Sequence, residues 1–349
     1  MKNRAHSSRI ARRALILALW GILPCWSAPV LAGDVPLSDP NIKFVGRWDK
    51  GSSTTYTSYF PGAYLSTRFT GSTVQLKLGP TPTTFRYILD GVTSTYWNGS
   101  GTVNLTPAPL AGGTHTLQVA VEWQDSELQI QGLVLDANAS TQAPDARPLI
   151  EFVGDSISTG YVSAMTALTG YPWLAGEQLG ADHTQIAYPS ITLVQGYHYS
   201  YNSLPGMETL YFKLQAAKHC STIDCTNVPA WNFANYSAKL VVVNLGTNDQ
   251  GASTPPDKFQ DRYTAFLASI RAKYPDAEIF AMETFGKFYV KETQAAVNGR
   301  LAAGDAKVHY IRTEGWLDSG DFSDGVHPND AGHAKVANRL LPILQPYMA

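Results

Sequence analysis

Four residues in three short polar clusters could together carry out acyl transfer. Ser156 ends Gly154-Asp155-Ser156, Asn248 lies in Gly246-Thr247-Asn248-Asp249, and Asp324 precedes His327 by three positions near the end of the chain. A serine hydroxyl attacks well only when a base takes its proton, and an imidazole titrates in the right pH range for that task. A nearby carboxylate can hold the other ring nitrogen and fix the tautomer. We therefore predict Ser156 as the nucleophile, His327 as the general base and Asp324 as its orienting carboxylate.

Two of these clusters directly follow short apolar runs, at residues 149–153 and Leu240–Asn244, which are typical of buried parallel strands. Further strands are predicted at 184–187, Glu278–Met282 and Val308–Ile311. A helix with one apolar stripe follows Pro255-Pro256, and a last helix begins near Asn329. Alternating strands and helices predict a three-layer, doubly wound parallel sheet of the flavodoxin-like α/β class, with its reactive groups at the carboxyl edge.

The sequence from about residue 41 to 136 has a different period. Apolar residues alternate with polar ones, as in Val74-x-Leu76-x-Leu78 and Leu117-x-Val119-x-Val121-x-Trp123, and turn signals such as Asp90-Gly91 and Asn98-Gly99 separate the runs. Short half-buried strands at regular spacing predict a β-sandwich, here interpreted as a jelly roll.

Three tryptophans of this predicted sandwich, Trp48, Trp97 and Trp123, could form a platform on which sugar rings stack. Tryptophans of a small sandwich more often lie in the core. We therefore predict that all three are core residues.

The first 32 residues predict a cleaved secretory signal peptide. Basic residues precede an apolar core that is shorter than the roughly 20 residues of a membrane span, and Val30-Leu31-Ala32 offers a cleavage site. Residues 33–136 would then form the sandwich, the small polar residues 137–147 a linker, and residues 148–349 the α/β domain. We expect a secreted or periplasmic protein.

The net charge limits the kinds of partner that the protein can bind, and the cysteines indicate a disulfide and no metal site. The signal peptide would remove five of the 26 Lys and Arg and none of the 28 Asp and Glu, which leaves an acidic chain. We therefore expect no nucleic acid and no membrane as partner. A monomer is expected, although the sequence leaves the oligomeric state open. Cys220 and Cys225 are expected to pair in an oxidising compartment, with two free thiols as the alternative. No histidine lies at a convincing ligand spacing from them, so we predict no metal and no cofactor.

The three clusters resemble the motif blocks of the SGNH (GDSL-type) hydrolases. The resemblance extends to carbohydrate esterase family 2, in which a small β-sandwich precedes the hydrolase domain, through Gly46-Arg47-Trp48, Asp90-Gly91 and the sequence before Asn248. It implies an oxyanion hole formed by the amides of Ser156 and Ser190 and by the side chain of Asn248. Ser190 stands where the family usually has glycine, so its amide would be displaced if the glycine adopted positive φ.

The resemblance also implies how the site is used. Family 2 members remove acetyl groups from xylan and related sugars, so the expected substrate is an acetylated polysaccharide or oligosaccharide. Some relatives orient the histidine with a backbone carbonyl instead of a carboxylate, which leaves the role of Asp324 open. Phe285, Phe288 and Trp316 could present an aromatic face to the sugar, although each is more often a core residue.

The leading hypothesis is a secreted serine esterase that deacetylates polysaccharides such as xylan or glucomannan. One alternative is a GDSL esterase, lipase or thioesterase of broader specificity. Another is a carbohydrate-binding protein without catalytic activity. The absence of a Gly-x-Ser-x-Gly elbow disfavours an α/β-hydrolase lipase.

Overall fold

The computed structural model describes residues 33–199 and 203–349. The predicted signal peptide, residues 1–32, lies outside the described residues. The described residues form one compact unit in which a β-sandwich packs against an α/β domain. Within the part of the chain that the structure describes, no helix is both long and apolar enough to cross a bilayer.

Two six-stranded antiparallel sheets form the sandwich, as the period-two pattern predicts. The strands are β1 Gly33–Val35, β2 Lys43–Val45, β3 Trp48–Asp49, β4 Tyr56–Ser58, β5 Tyr64–Thr70, β6 Val74–Leu78, β7 Thr83–Leu89, β8 Val92–Gly99, β9 Thr102–Asn104, β10 Thr114–Ala120, β11 Leu128–Leu135 and β12 Thr141–Gln142. The first sheet has the order β3-β4-β11-β6-β9 with β1 on β11, and the other has the order β12-β5-β10-β7-β8 with β2 on β5. Strand β12 lies in the predicted linker and pairs with β5.

The prediction that all three tryptophans lie in the sandwich core is right for one of them and wrong for the other two. Trp48 is in the core, with 2% of its surface exposed. Trp97 is 71% exposed, because its neighbour Tyr96 takes the inward position on β8 and stacks on Phe85. Trp123 is 40% exposed, because β10 ends at Ala120 and the alternation does not continue into the loop that carries it.

Five parallel strands form a third sheet: β13 Leu149–Gly154, β14 Asp182–Ala187, β15 Leu240–Asn244, β16 Glu278–Met282 and β17 Val308–Ile311. Their order across the sheet is β14-β13-β15-β16-β17. All five predicted strands are therefore present. Successive residues of β15 belong to different cores, with Val242 on one face of the sheet and Val243 on the other. This explains why its sequence is apolar without interruption.

Helices cover both faces of this sheet and give the predicted three layers. The helices are α1 Ser156–Thr159, α2 Tyr171–Gln178, α3 Met207–Leu210, α4 Thr247–Gly251, α5 Pro256–Lys273, α6 Val290–Ala302 and α7 Asp330–Leu344. The pair α2 and α7 packs on one face, and α5 and α6 pack on the other. Asn329 caps α7 by accepting a hydrogen bond from the Gly332 amide at 3.0 Å.

A buried charged cluster joins the sandwich to the strand that ends before Ser156. Arg47, next to β3, has no exposed surface, donates to the Lys213 carbonyl at 2.6 Å and lies 3.9 Å from the Glu151 carboxylate in β13. Tyr211 and Tyr236 donate hydroxyl hydrogen bonds to the same carboxylate. Since an unpaired buried charge costs several kcal/mol, this cluster fixes the sandwich against the α/β domain.

Candidate active site

The carboxyl edge of the parallel sheet positions both Ser156 and Asn248. Strand β13 ends at Gly154, and Asp155 caps α1 by accepting from the Ile157 amide at 3.0 Å, so that Ser156 is the first residue of the helix. A side chain at position 154 would overlap the Ser158 hydroxyl, which explains the glycine. Two residues after the end of the neighbouring strand β15, Gly246 at φ 125° turns the chain into α4, which carries Asn248.

Ser156, His327 and Asp324 form one hydrogen-bonded row. His327 Nε2 lies 2.8 Å from Ser156 Oγ, and His327 Nδ1 lies 2.7 Å from Asp324 Oδ2. The other carboxylate oxygen, Asp324 Oδ1, accepts the backbone amides of His327 at 2.8 Å and Val326 at 3.0 Å. The structure thus brings together three side chains that are up to 171 positions apart in the sequence.

These contacts also set the charge of Asp324. Partial burial acts to raise its pKa, but the hydrogen bonds from His327 and from the Val326 amide outweigh it and lower the pKa to about 2. The group is therefore a carboxylate at neutral pH and can only accept from the ring nitrogen that faces it. This arrangement leaves His327 Nε2 as the acceptor for the serine proton.

Asn248 lies beside the segment that contains Ser190. Its Nδ2 donates to the Ile191 carbonyl at 3.0 Å, and an amide group has a second hydrogen to offer. The next residue, Asp249, accepts the amides of Leu193 at 2.8 Å and Val194 at 3.1 Å. Two adjacent side chains of α4 therefore hold the backbone that follows Ser190.

Ser190 has a positive φ, the conformation that a glycine at this position would adopt without strain. Its φ is 62°, in the left-handed region where an L-residue is strained by about 1–2 kcal/mol. Two residues earlier, the Tyr188 amide donates to the Gly154 carbonyl at 3.3 Å, which ties this segment to the end of β13. The backbone thus adopts this conformation in spite of the serine side chain, and the role of Ser190 as an oxyanion donor stays a prediction.

Two buried carboxyl groups lie next to the predicted catalytic residues. Burial raises the pKa of Asp155 to about 7, with the Ile157 amide acting in the opposite direction and Asp249 adding to the rise. Burial likewise raises the pKa of Asp249 to about 6, against the amides of Leu193 and Val194. Both groups hold backbone amides, so their chemical role is to shape the loops around the site.

The predicted aromatic subsite residues pack against the protein itself. Phe285 and Trp316 are partly buried against the core on the α2–α7 face of the sheet, and Phe288 is partly buried against the opposite core. Their assignment to substrate binding stays a prediction. Sequence reasoning missed a different aromatic residue, Tyr161, whose ring lies edge-on to the His327 imidazole at 5.0 Å. The sequence did contain one sign of this: Tyr161 directly follows Gly160, which ends the helix that begins at Ser156.

Cys220 and Cys225 form the predicted disulfide, with Cα atoms 4.6 Å apart. The helical turn before it carries Lys218 and His219, which both reach Glu127 of the sandwich. A separate cavity of about 530 Å³ lies at the amino ends of the parallel strands and is lined in part by Lys43, Asp182 and Lys239. It contains none of the predicted catalytic residues.

Comparison with known proteins matches both parts of the chain. The model of the GDSL-like lipase/acylhydrolase family matches residues 152–335, and that of the carbohydrate esterase 2 N-terminal domain matches residues 44–144. The chain is 27% identical over 331 residues to the cellulase/esterase CelE of Acetivibrio thermocellus, which covers 86% of this chain but only 39% of that protein. It is 25% identical to an acetylxylan esterase/glucomannan deacetylase of Cellvibrio japonicus, over 90% of this chain and 91% of the relative.

Solved structures of other proteins are similar to this chain over most of its length. A family two carbohydrate esterase from Clostridium thermocellum, solved with cellohexaose, has a TM-score of 0.73 and 25% identity over 87% of this chain and 98% of that one. A family two carbohydrate esterase from Cellvibrio japonicus has a TM-score of 0.75 at 19% identity, over 91% and 98% of the two chains. The second likeness establishes the shared fold, a sandwich followed by a parallel α/β sheet.

Proposed function

We propose that this chain, which belongs to the GDSL-like lipase/acylhydrolase family and carries a carbohydrate esterase 2 N-terminal domain, is a secreted serine esterase that deacetylates a polysaccharide such as xylan or glucomannan. The observation that carries the proposal is the 2.8 Å contact between His327 Nε2 and Ser156 Oγ, with Asp324 on the far ring nitrogen. The Cellvibrio japonicus relative, an acetylxylan esterase/glucomannan deacetylase, supports the choice of substrate class.

In the first step the Ser156 hydroxyl attacks the acetyl carbonyl carbon, and its proton passes to His327 Nε2. The carboxylate of Asp324 stabilises the imidazolium that results. The carbonyl oxygen becomes negative and needs hydrogen-bond donors, each worth about 3 kcal/mol. The amide of Ser156 is one candidate, because the first N–H groups of a helix have no acceptor within it. The Ser190 amide and the second hydrogen of Asn248 Nδ2 are the others.

The tetrahedral intermediate then collapses. His327 returns its proton to the sugar oxygen as the carbon–oxygen bond breaks, which leaves an acetyl group on Ser156 and a free hydroxyl on the sugar. A water molecule attacks the acetyl-serine, with His327 taking one of its protons and returning it to Ser156 Oγ as the ester bond breaks, which releases acetic acid that ionises to acetate in solution. Every proton taken by the imidazole is returned within the cycle, so these steps balance without a cofactor.

Acetate release from acetylated xylan, acetylated glucomannan and nitrophenyl acetate would test the proposal. Ser156→Ala should lower all three rates by at least about 1,000-fold. Ser269→Ala, the same change on the outer helix α5, should leave them unchanged. Unaltered hydrolysis by Ser156→Ala would remove Ser156 from the mechanism. A set of acyl esters provides a second check: rates that rise beyond butyrate would favour a broader GDSL esterase, whereas the proposal expects them to fall with chain length.

A further inference from the structure

A loop of the sandwich, residues 121–127, reaches the segments on both sides of the candidate active site. The Glu122 carbonyl accepts the Thr166 hydroxyl at 2.6 Å, and Thr166 follows the nucleophile helix in the chain. At the other end of the loop, the Asp125 carboxylate accepts the Tyr188 hydroxyl at 2.9 Å, two residues before Ser190. The loop therefore forms part of the wall of the site.

The same loop is held rigidly from the sandwich. Glu122 makes a bidentate ion pair with Arg86 of β7, with Nε–Oε2 and Nη2–Oε1 distances of 2.7 and 2.8 Å. Both side chains are mostly buried, so solvent screens this pair less than a surface pair. Inside the loop the Ser126 amide donates to the Trp123 carbonyl at 3.0 Å. The backbone of Trp123 is thus fixed on both sides.

Trp123 places an aromatic ring next to the catalytic row. Its ring centre lies 6.1 Å from that of Tyr161 with a 42° angle between the planes, and Tyr161 lies 5.0 Å from the His327 imidazole. The distance from Trp123 to the imidazole therefore cannot exceed the sum of these two separations. Although it is anchored, the Trp123 side chain is 40% exposed. A partly exposed indole ring next to Tyr161, on a loop that is anchored at both ends, is available to a substrate.

The backbone after Tyr161 is strained in a way that adds to this surface. Val162 has φ 63°, a left-handed conformation that is unfavourable for a β-branched residue, and its side chain is exposed. Val326, directly before His327, is exposed as well. Exposed apolar side chains therefore adjoin both Tyr161 and His327 in the sequence.

We propose that Trp123, together with Tyr161, forms a subsite for the pyranose ring that adjoins the acetylated one, so that the sandwich takes part in recognising the polymer. This inference rests on the proposed function. The apolar C–H face of a pyranose stacks on an indole ring, and its rim of hydroxyls needs polar neighbours, of which the exposed Asp125 carboxylate is one. With the acetyl group at Ser156, a neighbouring unit of the substrate would extend past Tyr161 to Trp123.

Two acetate esters separate this subsite from the chemistry. Acetylated xylan has neighbouring sugar rings, whereas glyceryl triacetate has no ring to stack. We expect Trp123→Ala to lower the ratio of kcat/KM for acetylated xylan to that for glyceryl triacetate by about tenfold, mainly through KM. Tenfold corresponds to the burial of roughly 55 Å² of apolar ring surface. Trp123→Phe, which keeps an aromatic face, should retain the ratio within about threefold.

Leu301→Ala is the control, because Leu301 is an exposed apolar residue at the end of α6, a helix that packs with α5 and carries none of the candidate site residues. It should leave both rates unchanged. A ratio for Trp123→Ala within twofold of wild type would overturn the subsite, as would an equal loss in Trp123→Phe and Trp123→Ala. Failure of Ser156→Ala to abolish hydrolysis of glyceryl triacetate would instead refute the proposed function itself.

Discussion

Asp324→Asn is expected to impair the enzyme more than Asp324→Ala, although asparagine is the closer mimic of aspartate. The reason lies in the two backbone amides, from Val326 and His327, that donate to Asp324 Oδ1. An asparagine must turn its carbonyl oxygen toward these donors, which points its NH₂ group at His327 Nδ1. The imidazole then has to accept at Nδ1 and carry its proton on Nε2, where it cannot take the proton of Ser156.

The expected losses of activity in the two variants depend on how exposed the Asp324 side chain is to solvent. The Asp324 side chain is 45% exposed, so water can replace it as the acceptor for Nδ1 in the alanine variant. Loss of a charge-assisted hydrogen bond of roughly 2–2.7 kcal/mol would lower kcat/KM by about 30- to 100-fold. The asparagine variant adds the cost of the wrong tautomer, which in a Ser-His-Asp triad amounts to about 10⁴-fold. With partial exposure we expect a loss of about 1,000-fold or more.

The assay is kcat/KM for nitrophenyl acetate in both variants, together with their melting temperatures. Asp324→Asn keeps the two loop hydrogen bonds, so it should melt no lower than Asp324→Ala while it is the less active of the two. An asparagine variant as active as the alanine variant would refute the argument that the two backbone amides fix which side-chain atom of residue 324 faces His327. Losses under threefold in both would show that a backbone carbonyl, and not Asp324, orients His327.

Three further substitutions test the surroundings of the nucleophile. Asn248→Ala should lower kcat by about 100- to 1,000-fold through loss of one oxyanion donor, and a loss under threefold would mean that it donates nothing. Ser190→Gly keeps the amide and accepts φ 62° without strain, so kcat should stay within threefold and the melting temperature should not fall; a tenfold loss would assign a function to the hydroxyl. Asp155 has a folded-state pKa of about 7, above its unfolded value, so the folded protein binds the proton more tightly and stability falls as pH rises from about 4 to 7. Asp155→Asn should therefore raise the free energy of unfolding at pH 8, by at most about 4 kcal/mol, and change it little at pH 4; equal effects at both pH values in denaturant titrations would contradict this assignment.

Much of the architecture was predictable because burial leaves a simple signature in the sequence. Strands buried on both faces, such as β13 and β15, read as unbroken apolar runs, and strands of the sandwich alternate. The same rule failed at Trp123, because alternation holds only while the chain stays in a strand and β10 ends at Ala120.

Other features depend on contacts that no local pattern contains. The burial of Arg47 against Glu151 requires the sandwich and the parallel sheet to be in place first. Tyr161 meets His327 only through the fold, since the two are far apart in sequence. Serine itself gives no sign of a positive φ, so the left-handed conformation of Ser190 could not be predicted from its own residue type. Only the glycine that the family usually has at this position raised the question.

Labelling with a fluorophosphonate, which bonds covalently to an activated serine hydroxyl, tests the central claim most directly. The label should map by mass spectrometry to the peptide that contains Ser156 in the wild-type protein. It should be absent from Ser156→Ala and form at least about 100-fold more slowly in His327→Ala, because the imidazole takes the serine proton. Labelling of another residue, or an unchanged rate in His327→Ala, would contradict a Ser156 nucleophile activated by His327.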